Sequence, residues 1–205
     1  MMFFCKKYFP HFLLVIYCLL FIICAIHPYN RAVRFTENLP VMVVVLFLVY
    51  TFNKRNVSNS SYFLMSFWII LHTIGGHYTF ELVPFDSINQ LFGWERNMYD
   101  RIAHFMIGVY AFPIMEYLWR SKAIQQKWLL YTFGICSILA VAGAYEIFEW
   151  RFAIIADPKA GLAVLGSQGD IRDAQKDMLM DTLGAILAIF FFIIREIFIN
   201  RKKTD

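Results

Sequence analysis

The chain has 205 residues, of which 60% are hydrophobic, 19% aromatic and only 17% charged, with a net charge of +4. A soluble domain carries more charge, and the apolar residues here fall in blocks long enough to cross a bilayer. These proportions exclude a sizeable water-soluble domain and a basic nucleic-acid surface. They leave an all-α, polytopic bundle whose medium is the lipid bilayer, read as a single integral membrane domain over 1–205.

Six spans are expected, at about 9–26, 39–52, 62–74, 102–119, 128–150 and 178–199. Lys6 and Lys7 precede the first run as in a signal peptide, but no small-residue cleavage site follows in Cys24-Ala25-Ile26-His27-Pro28. The run therefore reads as an uncleaved signal anchor, ended by His27-Pro28-Tyr29-Asn30. The second span is short and starts near Pro40. The third stops at Gly75-Gly76, and Pro113 kinks the fourth. Trp128 and Trp150 mark the ends of the fifth, as aromatic residues do at membrane interfaces. Cys18, Cys24 and Cys136 lie inside apolar runs and Cys5 near the N-terminus, without a C-x-x-C pair, so they read as small buried packing residues.

Two long loops, 75–101 and 151–177, share one face by parity. The first carries His77, Tyr78, Phe80, Phe92 and Trp94, which suits a re-entrant or interface-lying segment. The short loops on the N-terminal side hold a basic excess, including Lys54, Arg55, Arg120, Lys122 and Lys127, and Arg201-Lys202-Lys203 follows the last span. The positive-inside rule then places both termini in the cytoplasm of a bacterial inner-membrane protein and the long loops outside.

The polar residues inside these segments carry the functional signal, because acids are costly in hydrocarbon. Asp170, Asp173, Asp177 and Asp181 are spaced by three and four residues and share one helical face. Asp170 is an N-cap candidate after Gly166 and Gly169. Asp100 and His104 are four apart, so they meet on a helix. They read either as an acid–base or ligand pair, or as a capping acid with a packed histidine. Glu146 and Glu149 end the fifth span, where the helix dipole disfavours acids, so a cation is expected nearby: Arg151, Arg101, Arg172 or a metal. His77 is a second-choice site histidine beside the flexible Gly75-Gly76, whereas His72 reads as packed or hydrogen-bonded. No HExxH or G-x-S-x-G string is present, and Ser167 is a lone nucleophile candidate.

His104, Asp177, Glu146, Glu149, Asp173 and Asp100 are the candidate catalytic groups. Arg101 and Arg172 are candidates to grip an anionic group, with His77, Tyr78, Tyr99, Gln175 and Asp181 as further substrate contacts. Mixed imidazole and carboxylate donors admit a divalent metal ion, on His104, Glu146 and Asp177.

Four strings in order, Gly75-Gly76-His77-Tyr78-Thr79, Asn97-x-Tyr99-Asp100-Arg101-x-x-His104-Phe105, Tyr145-Glu146-x-x-Glu149-Trp150 and Gly169-Asp170-x-x-Asp173-x-Gln175-x-Asp177-Met178, resemble the YjdF-like bacterial inner-membrane proteins. Ala25-Ile26-His27-Pro28-Tyr29 fits the same pattern. The resemblance implies a multi-pass bacterial membrane protein without an established activity. Asp100-Arg101-x-x-His104-Phe105, Glu146 and Asp173/Asp177 are also loosely similar to VanZ-like membrane proteins, with Arg101 in place of their usual lysine. That similarity implies a shared architecture and a link to glycopeptide resistance. Three functions fit: an enzyme on a lipid-linked or anionic envelope substrate, a non-catalytic envelope or stress-accessory protein, and a proton- or cation-coupled carrier.

Overall fold

The computed structural model describes residues 2–54, 57–156 and 158–204, with side chains described from Tyr8 to Phe198 outside the two gaps. Among the described residues its regular elements are all helices. In chain order the helices are α1 (Met2–Ile23), α2 (Arg31–Thr51), α3 (Asn59–Tyr78), α4 (Asp86–Phe92), α5 (Tyr99–Gly108), α6 (Ala111–Arg120), α7 (Lys127–Ile155), α8 (Pro158–Leu165) and α9 (Asp173–Thr204). Four segments are long and apolar enough to cross a membrane: Arg31–Thr51, Tyr99–Arg120, Lys127–Ile155 and Asp173–Phe198. Tyr8–Ile23 is a shorter apolar helix, and α3 has the length but is diluted by Ser61, Ser66, His72, Thr73 and His77. With α5 and α6 counted as one crossing, six long helical segments roughly match the six expected spans. The two long loops fold into the short helices α4 and α8.

Local chemistry sets the boundaries. The Asn30 side chain accepts the Ala32 and Val33 N–H groups and caps α2, satisfying donors that a helix start leaves open. Ser58 caps α3 in the same way. The helix does not stop at Gly75-Gly76 as expected but runs on to Tyr78, with Thr79 in the left-handed conformation as its cap. The two glycines serve close packing instead. A Cβ on Gly75 would run into the Phe80 ring, and one on Gly76 would meet Asn38 and Glu37. The fourth crossing breaks at Val109-Tyr110, just before Pro113; proline lacks the N–H that would have bonded the carbonyl of Val109. Cys24 is buried, but Cys18 and Cys136 are exposed on the apolar outer surface, so the packing role expected for all the span cysteines holds only for Cys24.

The outer surface is apolar where lipid would lie, with Leu19, Leu46, Tyr50 and Phe190 all exposed. Inside, Ala111, Phe112, Met115, Leu130, Ala188 and Phe192 join α6, α7 and α9 into one core. Contacts of His11 with Phe52 and of Phe9 with Phe63 gather the starts of α1 and α3 and the end of α2 at one end, with the end of α6. We refer to this as the terminal end; the other, with α4 and α8, is the loop end. The tightest crossing is α5 on α9. A Cβ on Gly108 would strike the Asp181 carbonyl and lie 2.8 Å from the Gly184 Cα. Only two glycines allow backbones to come this near, and the crossing sets the side chains of α5 directly against the acids of α9.

Candidate functional site

Helix α9 presents Asp173, Asp177 and Asp181 one turn apart on the face that meets α5. Helix α5 answers with Arg101 and His104, also one turn apart. The Arg101 guanidinium is ion-paired with both Asp173 and Asp177 and donates to the Asp173 carbonyl at 3.1 Å. His104 Nδ1 lies 3.2 Å from Asp181 Oδ2, and its Nε2 lies 3.8 Å from Asp100 Oδ1 and 3.9 Å from Asp177 Oδ1. Arg96, from the first long loop, reaches Asp173 at 2.8 Å. Asp100, Arg101, His104, Asp173, Asp177 and Asp181 are all buried.

The charge count is uneven. Four buried carboxylates face Arg101, the part-exposed Arg96 and one imidazole. Asp181 Oδ1 has no hydrogen-bond partner, and Asp177 relies on the one guanidinium that it shares with Asp173. A buried charge without a partner is strongly unfavourable, so a set with surplus acid requires bound protons or a bound cation. Asp100, His104 and Asp177 each offer one donor atom, all within 4.8 Å of one another. Carboxylate oxygen and imidazole nitrogen in this number suit zinc, manganese or iron.

A second buried group lies on the other side of the same space. Tyr145 donates to Glu37 Oε2 at 2.9 Å and lies 3.4 Å from His72 Nε2, which is itself 3.5 Å from Glu37. These residues come from α7, α2 and α3. The Tyr145 ring meets the His104 ring edge-on at 6.2 Å, so the two groups adjoin. Between them is a cavity of about 120 Å³, lined on its polar sides by Asp100, His104 and Asp181 and by His72 and Tyr145.

The expected site residues divide accordingly. Asp100, Arg101, His104, Asp173, Asp177 and Asp181 come together. Glu146 is half-buried, with His104, Asp177 and Asp181 as its electrostatic neighbours, but it stands outside the close donor set, where Asp100 takes the place expected for it. Glu149 is buried beside Glu37 and Glu146. The remaining five lie elsewhere. His77 Nδ1 is 2.9 Å from the Cys24 carbonyl and ties α3 to the end of α1. Tyr99 is buried and donates to the Leu71 carbonyl. Tyr78, Arg172 and Gln175 are exposed. Arg101 is saturated by aspartates, which leaves its guanidinium no free edge for an anion. Asp170 does not cap α9, which starts at Asp173; it accepts the Arg172 N–H in a turn just before. That bond and, above all, the Lys176 ammonium at 2.5 Å hold the Asp170 carboxyl below its ordinary range. Glu37 escaped the sequence reading as a site residue because it precedes the expected second span. Its signal was a polar Glu37-Asn38 pair just ahead of Pro40 and the apolar run that follows, all of which lie inside α2.

The comparisons agree with this architecture. The family described as "Predicted membrane protein (DUF2238)" matches residues 9–197, and the chain belongs to it. It is 31% identical over 175 residues, 84% of this chain and 83% of the relative, to the inner membrane protein YjdF of Escherichia coli (strain K12). The resemblance to YjdF-like proteins is borne out, and the chain is a multi-pass inner-membrane protein embedded in the bilayer. No solved structure matches it.

Proposed function

We propose that the chain is a membrane-embedded enzyme in which Asp100, His104 and Asp177 hold a divalent cation and which acts on a lipid-linked or other envelope substrate. The observation that carries this reading is the surplus of buried carboxylates around a three-donor set. Side chains held only for packing gain nothing from four acids in one desolvated space, since well-packed apolar residues do as well or better. A bound divalent cation would neutralise the surplus and supply a Lewis acid. Arg101 fixes Asp173 and Asp177 in place, and Asp181 orients His104 through Nδ1, leaving Nε2 turned to Asp100 and Asp177. Such an imidazole would offer its Nε2 lone pair to the cation, while Asp181 holds the Nδ1 proton and fixes the tautomer. With both termini cytoplasmic, the site lies below the periplasmic surface. The whole chain acts as one integral membrane domain in this reading.

Detergent-purified protein is expected to carry stoichiometric zinc, manganese or iron, and Asp177→Asn to lose it without losing its fold. Metal-free wild type that does not bind these ions on addition would overturn the proposal. A second reading, an accessory protein whose cluster docks the loops, draws on the links across them: Arg96 to Asp173, and Asn97 paired with Gln168 at 3.0 Å. A normal cellular phenotype for a stable, cation-free Asp177→Asn variant supports that second reading. A carrier fits less well, because the apolar core of α6, α7 and α9 separates the cluster from the terminal end.

A further inference from the structure

The cavity between the two polar groups opens at a depth that selects its occupant. Apart from the five polar residues named above, its lining is apolar and includes Val44, Trp68, Ile107, Ile138 and Val141. Val141 lines the cavity and is nevertheless 55% exposed. It stands midway along α7, roughly 20 Å from either end at 1.5 Å per residue, so the cavity reaches the outer surface in the middle of the hydrocarbon layer. The opening lies between α2 and α7. These two helices are not packed together along their lengths, although Tyr145 and Glu37 join them by one hydrogen bond. At the loop end α8 packs on both, with Ala160 and Val164 against Val33, and roofs the gap. The chain neighbours of two lining residues are apolar and exposed as well, Val43 beside Val44 on α2 and Leu139 beside Ile138 on α7.

A mouth of this kind faces acyl chains, not water. A hydrated solute would have to leave its water in hydrocarbon before entering, whereas a chain enters with no change of surroundings. We propose that the cavity binds the hydrocarbon chain of an amphiphilic lipid, admitted from the bilayer between α2 and α7, whose polar group is brought to His104, Asp181 and Tyr145. This deepens the enzymatic reading by naming the substrate class, and it rests on that reading only for what happens to the lipid once bound. It also gives the second polar wall a use: the Tyr145 oxygen, its proton donated to Glu37, lines the same space as His104 and can accept from a headgroup there.

The test uses the full chain in nanodiscs containing a phospholipid with a photoactivatable diazirine near the end of its acyl chain. After irradiation, peptides are mapped for adducts. Lipid-facing Leu46 and Leu19 are expected to be labelled in any case. Labelling of buried Trp68, Ala103 or Ile138 is the expected result. Adducts confined to the outer surface would overturn the proposal. Ala142→Phe, which fills the mouth, is expected to lose the inner adducts and keep the outer ones. Should that variant not fold, Val44→Phe fills it from α2. Persistence of inner adducts in a folded, plugged variant also counts against entry at this mouth. Because Asp177→Asn leaves the mouth untouched, inner labelling should survive in it. Failure of the cation site is thereby separated from failure of the lipid site.

Discussion

Buried acid occurs at both ends of the bundle, and the two ends treat it differently. At the terminal end Glu116 is fully buried, yet every demand it makes is met. Its Oε1 faces Arg195 at 2.6 Å and Arg120 at 2.9 Å, while Oε2 accepts from the Ser58 N–H, the Ser58 hydroxyl and the Ser61 hydroxyl. Four residues, Arg120 from α6, Arg195 from α9 and Ser58 and Ser61 from the start of α3, close around one carboxylate. At the loop end the acids outnumber the cations, one guanidinium is shared between Asp173 and Asp177, and Asp181 Oδ1 faces no donor. The contrast separates a knot that holds the fold from a set that needs something added. Burial alone does not mark a site; the balance of charge within the buried group does.

The widest difference between the ends should appear on removing an acid. Glu116→Ala takes the shared acceptor from the Ser58 and Ser61 donors and from two part-exposed guanidinium groups, and is expected to cost about 3 kcal/mol, the upper end for leaving a buried donor unsatisfied. Thermal unfolding in detergent would register this as loss of most of the fold's stability. In metal-free protein Asp181→Asn should change stability by less than about 1 kcal/mol, or raise it, because it removes a surplus charge. Equal losses at the two positions would erase the distinction.

The crossing that assembles the loop-end site offers the next test. Gly108→Val forces α5 away from α9 and is expected to cost about 1–3 kcal/mol as overpacking. It should also lower cation affinity, because His104 and Asp177 separate. A variant with full affinity would show that the site does not depend on this contact. Sharper still is the cation itself. At about a hundredfold excess over Kd, manganese or zinc should stabilise wild type by about 2.7 kcal/mol. In Asp177→Asn the gain should vanish, whereas in Glu116→Gln, if folded, it should remain.

The smallest effect concerns the turn that leads into α9. Asp170 is held below its ordinary value of 3.8, first by Lys176 and then by the Arg172 N–H. A lowered folded value means that the contribution is present above the unfolded value and is lost as pH falls through the folded one. Local hydrogen exchange around 166–172, corrected for intrinsic rates, should therefore quicken below about pH 4. Asp170→Asn should abolish that dependence. With the Lys176 side chain 54% exposed the pair is solvent-screened, so global stability should move little.

Particular residues show how far the sequence carried. Asp173, Asp177 and Asp181 follow helical spacing, and an amphipathic row of acids can be placed on one face without coordinates. Asp100 and His104 form such a pair as well. Tyr99 and His77 could not be sorted from the site by pattern, since a hydroxyl or imidazole near a loop looks the same whether it faces a cavity or a backbone carbonyl. Arg101 reads as an anion clamp in the sequence because its partners, Asp173 and Asp177 on another helix, are invisible in a linear string. Glu37 and His72 escape a reading of the sequence as a unit for the same reason, since they meet each other and Tyr145 only across three helices.

Helical class, membrane residence and the shared depth of the two long loops followed from composition and periodicity, which act locally and need no knowledge of neighbours. Which acids are neutralised and which are left in surplus, where α2 and α7 part, and how closely Gly108 meets Gly184 depended on the packing of remote segments. Electrostatic balance and cavity shape are sums over contacts distant in the chain, and those contacts exist only once the helices have taken their places.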